Sequence, residues 1–534
     1  MAKYFFHGGR VYTANPRSPL CTAVAVVGRK VLAAGSEQDV ASVVDDSFIR
    51  IDLSGRTLVP AFTDAHIHFM YYAMSMIGVD LIDTTGPEHV AELVAKAVPT
   101  TPQGAWITGV GWNSNTWPQG KQPDRSYLDA VAPHTPVALW SKDLHSLWAN
   151  TAALRLARIG LDTPDPDGGR IVRDPDTRQA TGLLNEKAAF MVANVMPEVT
   201  QSQLVEAMQR AQAVLHSMGI GCIHNMDGGL AFAALQQMKR ERKLKLRVVQ
   251  AIPAASLDAA VDLGLSSGFG DDWIVIGQLK AFADGSLGSH TAHMLKPYED
   301  TENDYGIEVT PKEEMAKLVG RAVLNNIGCA IHAIGDRANR DILDIFDSVK
   351  EDSAARRLTH RIEHVQLLHP NDVRRLADLG VVASMQPVHV LGDIRIADLH
   401  WGGRSRWAYA FKSLARSGAT LAFGSDAPVE TPDPLRGLYA AVIRKEPGSE
   451  AQFGWYPEER LTVEETLRAY TVGAARAAGL PAGARRSTIV PGALADLAIL
   501  SQDLFAMPMP DFLEIRVDAT MINGEFVFER GHAR

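Results

Sequence analysis

The sequence predicts an α/β protein: a (β/α)8 TIM barrel with a small β-sandwich built from both chain ends and a large insertion between barrel strands 1 and 2. Three observations support this fold. Short apolar runs alternate with helix-like segments in the middle of the chain, both ends show a strand-and-turn pattern, and one gap between apolar runs is much longer than the others. A chain of 534 residues is long enough for such a barrel plus a small second domain.

Both chain ends are predicted to form short β-strands separated by turns. Near the start, YFFHGGRVYTA, AVAVVGRKVLAAGS and FIRIDLSGRTLV are rich in β-branched and aromatic residues and are punctuated by glycine. Near the end, ADLAILS and RVDATMINGEFVFER repeat the pattern, with a hairpin turn expected at Asn523-Gly524. Because chain ends commonly lie close together, we expect residues 1–57 and 487–534 to form one β-sandwich.

Residues 58–486 are expected to form the barrel. The candidate strands are LVPAFTDAHIH, GIGCIHNMD, LRVVQAI, IVIGQLKAFADG, CAIHAIG, THRIEHVQ, VVASMQP and TLAFGSDAP, which makes eight. From the second strand on they begin roughly 25 to 50 residues apart, and a barrel of about 250 residues needs about 31 per βα unit. The spacing therefore fits a TIM barrel.

One gap in this rhythm predicts an insertion at about residues 75–210. His224 follows His66 by 158 positions, where a single βα unit would suffice. The extra segment contains Trp112, Trp117, Trp140 and Trp148 and a predicted hairpin, GGRIVRDPDTRQATG, that turns at Asp174-Pro175. Because βα loops emerge on the face where barrel active sites lie, we expect the insertion to form a subdomain over the barrel mouth.

Composition and charge favour an enzyme that acts on small molecules. The net charge is −9 and no long basic run occurs, which gives no reason to expect nucleic acid. The three cysteines are far apart and odd in number, so no disulfide framework is predicted and a reducing cytoplasm fits best. The sequence shows neither an export signal nor an apolar run of about 18 residues, so we expect no membrane association.

The stretch DAHIH, at the end of the first barrel strand, contains a candidate pair of metal ligands. Alternate residues of a strand share a face, so His66 and His68 project together. Each could offer an imidazole nitrogen to one zinc-like ion at about 2.0 to 2.1 Å. Taken alone, the pair could equally be packed in a core.

Further polar residues lie near the expected ends of other barrel strands: Lys280, His332, His364 and Asp426. His364 follows His332 by 32 residues, the length of one barrel unit, and Asp426 follows His364 by 62, the length of two. Core histidines would not be expected to keep this register. The set therefore predicts a metal site at the barrel mouth.

Lys280 has two interpretations. An ammonium group is a poor ligand, and its burial is costly unless the charge is lost. A buried neutral lysine can add carbon dioxide to become a carbamate, whose two oxygens can bridge two cations. Alternatively, Lys280 reaches solvent or pairs with Asp284. The residues alone leave both open.

Five ordered motifs, DAHIH, KAFADGS, HAIGD, RIEHVQ and GSDAPV, resemble the amidohydrolase superfamily, specifically its amidohydrolase-3 or YtcJ-like branch, which includes N-substituted formamide deformylases. The resemblance extends over nearly the whole chain. It implies a barrel with a β-sandwich made from both termini, one or two metal ions that are usually zinc, and a homodimer. It also implies that His66 and His68 bind one ion and that Lys280 is a catalytic, carboxylated bridge.

The same resemblance implies that His332 and His364 bind the second ion and that Asp426 acts as both ligand and proton shuttle. Metal binding lowers the pKa of water from near 16 to about 7, which gives hydroxide at neutral pH. Asp426 would take the proton of the water and return it to the leaving nitrogen. In the insertion, SKDLHSLWAN departs from the more usual D-G-H spelling at Leu144 and keeps His145.

The predicted reaction is hydrolysis of an amide-type C–N bond in a small, hydrophobic N-acyl or N-formyl compound. Deamination of a heterocycle and hydrolysis of an ester or lactone on the same site are the alternatives. A non-catalytic scaffold is disfavoured because all six ligand positions are occupied. An apolar pocket is suggested by HFMYYAMSM after the histidine pair and by the insertion tryptophans.

Six residues are candidates for substrate binding, although core, turn or surface positions explain each of them as well: His145, His224, Asp284, His389, Trp401 and Arg404. Glu363 is expected to point the opposite way from His364 and is not assigned to the site.

Overall fold

The computed structural model describes residues 1–118, 121–197, 199–479 and 486–531. The chain divides into two compact units. The first comprises Met1–Phe69, Gln209–Ala427 and Thr431–Arg534, and the second comprises Met70–Met208 with Pro428–Glu430. Among the described residues, no helix is both long and apolar enough to cross a membrane.

Eight parallel strands form one sheet in sequence order within the first unit, which confirms the predicted barrel. Numbered 1 to 8 along the chain, they are Phe62–Ile67, Ile220–Asn225, Arg247–Pro253, Ile274–Phe282, Cys329–Ala333, Arg361–His364, Val382–Met385 and Leu421–Phe423. Just past strand 8, the backbone N–H of Asp426 donates to the carbonyl of His66 in strand 1 (2.7 Å) and so joins the two ends of the sheet. The strands are buried along nearly their whole length, which explains their continuous apolar sequences.

The helices of the first unit connect and follow the barrel strands. They are Gln201–Ser217, which begins in the second unit, Gly229–Arg240, Leu257–Asp262, Lys312–Leu324, Asp336–Ser348, Lys350–Ala355, Val373–Leu379, His389–Trp401, Phe411–Ser417, Pro434–Ile443, Val463–Arg468 and Ala474–Ala477. A π-helical turn, Ala469–Gly473, precedes the last of them, and short 3-10 turns lie at Ala254–Ser256, Pro370–Asp372, Gly402–Trp407 and Pro457–Glu459. In Asp336–Ser348 the buried Ile342, Ile345 and Phe346 follow helical spacing. Gly380 and Gly418 end two helices in the left-handed conformation (φ 67° and 92°).

The two chain ends form a β-sandwich in the first unit. One sheet has the order Lys30–Gly35, Ala23–Val27, Lys3–His7 and Ile49–Asp52; the other has Glu525–Glu529, Val517–Ile522, Leu497–Leu500, Thr57–Pro60, Arg10–Tyr12 and Leu20–Cys21. The helix Glu37–Ala41 packs on the first of these sheets, and the 3-10 turn Met509–Glu514 packs against the helix Pro434–Ile443. Its core includes Phe6, Leu58 and Met521 from strands near both ends. The expected hairpin turn is present, with Asn523 and Gly524 at φ 56° and 77°.

The apolar run LVPAFTDAHIH, which we expected to be a single strand, forms two. Thr57–Pro60 belongs to the sandwich and Phe62–Ile67 to the barrel. The hydrogen-bond partners change between them, because Ala61 donates to the carbonyl of Asp496 and Phe62 to that of Gly219. The sandwich strand therefore runs to Pro60, past the expected boundary at residue 57. Both strands are buried, so no polar residue marks the boundary in the sequence.

The second unit contains a six-stranded mixed sheet with the order Gly169–Arg173, Ala180–Glu186, Ser146–Ala149, Val137–Ser141, Ile107–Trp112 and Val79–Asp80. Its helices are Phe69–Ser75, which starts at the last residue of the first unit, Pro87–Ala97, Arg125–Val131, Thr151–Leu156 and Lys187–Ala193, with 3-10 turns Val98–Thr100 and Ser114–Thr116. The predicted hairpin is formed by Gly169–Arg173 and Ala180–Glu186.

The insertion tryptophans do not form the apolar pocket lining suggested by the sequence. Trp112, Trp117 and Trp148 pack together with ring centroids 6.1 to 6.3 Å apart, inside the hydrophobic core of the second unit. Trp140 packs against Phe190 (5.9 Å). Aromatic side chains bury large apolar areas, so a small unit of this kind uses them as core.

Candidate metal centre

The carboxyl ends of strands 1, 4, 5, 6 and 8 bring together the six predicted ligands: His66, His68, Lys280, His332, His364 and Asp426. Asp426 Oδ1 lies 3.5 Å from His66 Nε2 and 3.6 Å from His68 Nε2. Ligand atoms of these three residues all lie within 4.8 Å of one another. Imidazole and carboxylate groups at this spacing are typical zinc ligands.

Lys280, His332 and His364 complete the cluster. Lys280 Nζ lies 3.3 Å from His66 Nε2. The ring of His364 lies 4.9 Å from that of His66 and 4.4 Å from that of His332. Two side chains reach the site by a break in strand geometry, because His364 and Asp426 have positive φ angles of 76° and 63°. Such angles are uncommon outside glycine and recur at functional sites.

Hydrogen bonds to one ring nitrogen fix the orientation of the two strand-1 histidines. His66 Nδ1 donates to Glu363 Oε2 (2.5 Å), and His68 Nδ1 donates to Asp227 Oδ1 (2.9 Å). A neutral imidazole that carries its proton on Nδ1 has its lone pair on Nε2. In both residues Nε2 is the atom that faces Asp426. Metal-binding histidines are usually held in this way by an acceptor on the far nitrogen.

The other two histidines have the same kind of partner. His332 Nε2 donates to the carbonyl of Gly285 (2.9 Å), which places its lone pair on Nδ1. His364 Nδ1 donates to Gln386 Oε1 (2.8 Å), which places its lone pair on Nε2. The pKa of His364 lies well below its ordinary value because of burial and the neighbouring His332. Uncharged imidazoles are the form that binds a metal ion, so the residues present fit a divalent transition metal.

Lys280 is buried among the ligands. Its burial lowers the pKa of the ammonium group to about 8, although the carboxylates of Glu363 and Asp426 act in the opposite direction. The Nζ atom also lies 4.8 Å from the ring centroid of Phe282. A lysine with this pKa has an appreciable neutral fraction near physiological pH, which is the reactive form of the amine.

Glu363 is a site residue that the sequence analysis left out. Its carboxylate holds His66 Nδ1, and the ring of His364 also lies 4.9 Å from the ring of His66, so both neighbours reach the same histidine. Its carboxylate is also bonded to the fully buried Arg361, whose guanidinium donates to Ser384 Oγ (2.6 Å). The motif RIEH could have revealed Glu363, because it places charged residues at alternate positions of a buried strand.

Three predicted substrate residues of the first unit make hydrogen bonds that support the barrel site, and their role in binding substrate stays a prediction. His224 Nδ1 accepts from Arg361 Nη1 (2.7 Å) inside the barrel. His389 Nε2 donates to the carbonyl of Ser425 (3.1 Å), the residue before the predicted ligand Asp426. Asp284 accepts three backbone N–H bonds, from His293, Ile334 and Gly335. Asp284 therefore fastens the loop after strand 4 to the loop after strand 5.

Trp401 and Arg404, which are also predicted to bind substrate, make contacts of other kinds. Trp401 is completely buried. Arg404 donates to the carbonyls of Lys296 (3.0 Å) and Pro297 (2.7 Å) and so holds the loop after strand 4. The substrate-binding roles of Trp401 and Arg404 stay predictions.

His145 lies in the second unit, where its Nδ1 is 2.9 Å from Glu186 Oε1. Its neighbour Leu144 has φ 61°, a left-handed conformation that glycine adopts without steric cost. This explains why glycine is the more usual residue at this position and indicates strain at Leu144. The substrate role of His145 stays a prediction.

Comparison with known proteins supports the motif-based resemblance. A family model described as "Amidohydrolase family" matches residues 50–528. Protein LONG AFTER FAR-RED 3 of Arabidopsis thaliana is 32% identical over 97% of this chain and 90% of its own length. The putative amidohydrolase YtcJ of Bacillus subtilis is 29% identical over 99% of this chain and 100% of its own. N-substituted formamide deformylase of Arthrobacter pascens is 28% identical over 97% of each chain.

A solved structure shares the fold. An uncharacterized metal-dependent hydrolase from Pyrococcus horikoshii OT3 is 29% identical and has a TM-score of 0.78. The alignment covers 95% of this chain and 99% of that one. The predicted branch and fold class are confirmed by these matches.

Proposed function

The chain belongs to the amidohydrolase family and is a hydrolase of carbon–nitrogen bonds other than peptide bonds, and we propose that it cleaves a small N-acyl or N-formyl compound with a hydrophobic substituent. The main support for the proposal is that each of the four histidines has one ring nitrogen hydrogen-bonded to an acceptor. The other nitrogen of each ring then keeps the lone pair that a metal ion needs. The relative named N-substituted formamide deformylase, at 28% identity, supports the class of substrate.

We propose that one or two divalent ions, with zinc as the first choice, are held by His66, His68, His332, His364, Asp426 and a carboxylated Lys280. Such an ion supplies a nucleophile by lowering the pKa of water, and it polarises the substrate carbonyl. The low pKa of Lys280, about 8, supports carboxylation because the neutral amine is the form that adds carbon dioxide.

Asp426 is proposed to move the proton. Its carboxylate oxygen lies beside both strand-1 histidines, so it can accept a proton from the attacking water. It then returns that proton to the nitrogen as the C–N bond breaks. The overall change is amide plus water to carboxylic acid plus amine, so atoms and charge balance.

His145, His224, Asp284 and His389 stay in the proposal with different roles. His145, in the second unit, is the residue we propose for substrate contact. The other three position the barrel site through the hydrogen bonds described above. The net charge of −9 supports small-molecule substrates, and the three scattered cysteines support a location in the reducing cytoplasm. The homodimer is proposed from the resemblance to the family.

The experiment that tests this function combines metal analysis with identification of products. Protein loaded with zinc is offered formamides that carry an alkyl or aryl group on nitrogen, longer N-acyl amines, ureas, aminated heterocycles, esters and lactones. We expect formate and an amine from the formamides, loss of turnover after chelation, and recovery on adding zinc. Ammonia released from a heterocycle without any amide turnover would overturn the proposed substrate class and favour a deaminase.

A further inference from the structure

A second cluster of metal-binding side chains shares no residue with the barrel ligands. His290 and Asp300 lie in the long loop between strand 4 and the helix Lys312–Leu324. His400 lies near the end of the helix His389–Trp401, which follows strand 7. One ligand atom from each of the three lies within 4.8 Å of the other two.

The spacing of these atoms is close to that of zinc ligands. His290 Nε2 lies 2.9 Å from His400 Nδ1 and 3.5 Å from Asp300 Oδ2, and His400 Nδ1 lies 2.9 Å from Asp300 Oδ2. Ligands about 2.0 to 2.1 Å from a tetrahedral ion are about 3.3 to 3.4 Å apart. The three atoms therefore already form nearly one face of such a tetrahedron.

The ring of His290 is held in place by its surroundings. It stacks on Tyr298, with centroids 4.6 Å apart and planes at 6°, and the Tyr298 hydroxyl donates to the carbonyl of Ala292 (2.9 Å). His290 itself has a positive φ of 57°. On the far side of the ring, Asp304 Oδ2 lies 3.8 Å from Nδ1, which is beyond hydrogen-bond distance. The other ring nitrogen, Nε2, is the atom that faces His400 and Asp300.

The backbone brings the second histidine to the same place. The N–H of Glu299 donates to the carbonyl of His400 (2.9 Å), which ties the loop to the helix beside the cluster. The two rings meet at 78°, so ligand binding requires a rotation of one ring. The distances between the three ligand atoms, 2.9 to 3.5 Å, need little change.

We propose that His290, His400 and Asp300 bind a divalent transition metal ion of the zinc class, with water completing the coordination. Two imidazoles and one carboxylate suit such ions. The side chains are 24%, 12% and 30% exposed, so an ion can enter from solvent. The ion links the loop after strand 4 to the helix after strand 7. It is distinct from the ions proposed for the barrel mouth and takes no part in the hydrolytic step.

The test uses Zn²⁺ as the probe and counts ions per chain after equilibration and gel filtration. His290→Ala and His400→Ala are each expected to hold one ion fewer than the wild type. His134→Ala, which removes an exposed histidine of the second unit, should keep the wild-type content. Asp300→Asn changes a partly exposed residue conservatively, so this variant is expected to fold. Circular dichroism checks that each variant is folded.

A second arm separates this site from the barrel site. A His66→Asn/His68→Asn variant, impaired at the barrel, should still bind Zn²⁺ at the cluster, and adding His290→Ala should remove one ion from it. Excess Zn²⁺ should also raise the melting temperature of wild type more than that of His290→Ala. Equal zinc contents of folded wild type, His290→Ala and His400→Ala would overturn the proposal, whatever the result of the substrate screen.

Discussion

At the scale of single residues, the hydrogen-bond acceptors of the barrel-mouth histidines determine which ring nitrogen carries the proton. Glu363, Asp227, Gln386 and the carbonyl of Gly285 each accept one imidazole proton. Each acceptor decides which nitrogen keeps a lone pair, so the site is organised before any ion binds. Glu363 has a second role, because it is completely buried and also neutralises the charge of the buried Arg361.

Replacing Glu363 with glutamine tests this organisation. Glu363→Gln removes the negative charge that holds His66 and leaves Arg361 without its ionic partner. Loss of such a partner typically costs about 10- to 100-fold in metal affinity or activity. Chelator competition should show a drop of that size, whereas the exposed control Glu313→Gln should match the wild type. Unchanged zinc affinity in folded Glu363→Gln would contradict the role.

The proposed proton shuttle makes a different prediction. Asp426→Asn keeps an oxygen that can bind metal but cannot accept a proton. We expect near wild-type zinc content and a fall in kcat of about 10² to 10⁴, the usual range for general acid–base catalysis. Metal analysis and steady-state kinetics on the same preparation check both parts. Wild-type turnover would rule out the shuttle.

At the scale of elements, the loop after strand 4 is held in place by hydrogen bonds and by close backbone packing. Asp284 begins it with three backbone hydrogen bonds, and Arg404 binds two of its carbonyls. Gly306 lies where this loop runs beside Ala292, so closely that a Cβ atom would be 1.9 Å from the carbonyl oxygen of Ala292. The same loop supplies Gly285, whose carbonyl orients His332.

A pair of glycine substitutions separates crowding from backbone strain. Gly306 and Gly264 have similar positive φ angles (76° and 69°), but a Cβ at Gly264 would meet nothing within 4 Å. Gly264→Ala should therefore cost only the left-handed strain, about 1 to 2 kcal/mol. Gly306→Ala should cost about 2 kcal/mol more, because the loop must also move. Chemical unfolding of both variants measures the difference, and equal losses would show that the loop yields freely.

At the scale of the whole chain, both termini are joined to the barrel within the first unit. Arg247 of strand 3 is 2% exposed at its side chain and binds both carboxylate oxygens of Asp496, near the C-terminal sandwich strands. The Asp496 carboxylate also accepts from the backbone N–H of Asn523 (2.7 Å), and its backbone carbonyl accepts from the N–H of Ala61, between the sandwich and strand 1. One buried ion pair thus connects three distant parts of the sequence.

Breaking this pair should destabilise the first unit strongly. Asp496→Asn leaves the Arg247 charge buried without its partner, a change that typically costs about 3 to 5 kcal/mol. Glu525→Gln removes an exposed pair with Lys245 (3.3 Å) and should cost less than about 1 kcal/mol. Denaturant unfolding compares the two variants. A loss below about 1 kcal/mol in Asp496→Asn would show that the pair adds little.

Most of the fold could be predicted because it depends on local sequence patterns. Buried parallel strands read as apolar runs, and the regular spacing of βα units identified all eight. The division of LVPAFTDAHIH could not be predicted, because two buried strands of different sheets follow each other without a polar residue. Helical and strand periods reveal burial, but they do not reveal which sheet a buried residue joins.

The sequence by itself determined the barrel, the family and the six residues that meet at its mouth, since the ends of parallel strands lie at one edge and the register His332, His364, Asp426 follows the repeat. Only the tertiary structure decided the hydrogen bond of Glu363 to His66, the roles of Asp284 and Arg404, and the cluster of His290 with His400. The physical reason is separation. His66 and Glu363 are 297 positions apart, and His290 and His400 are 110 apart, so no local period relates them.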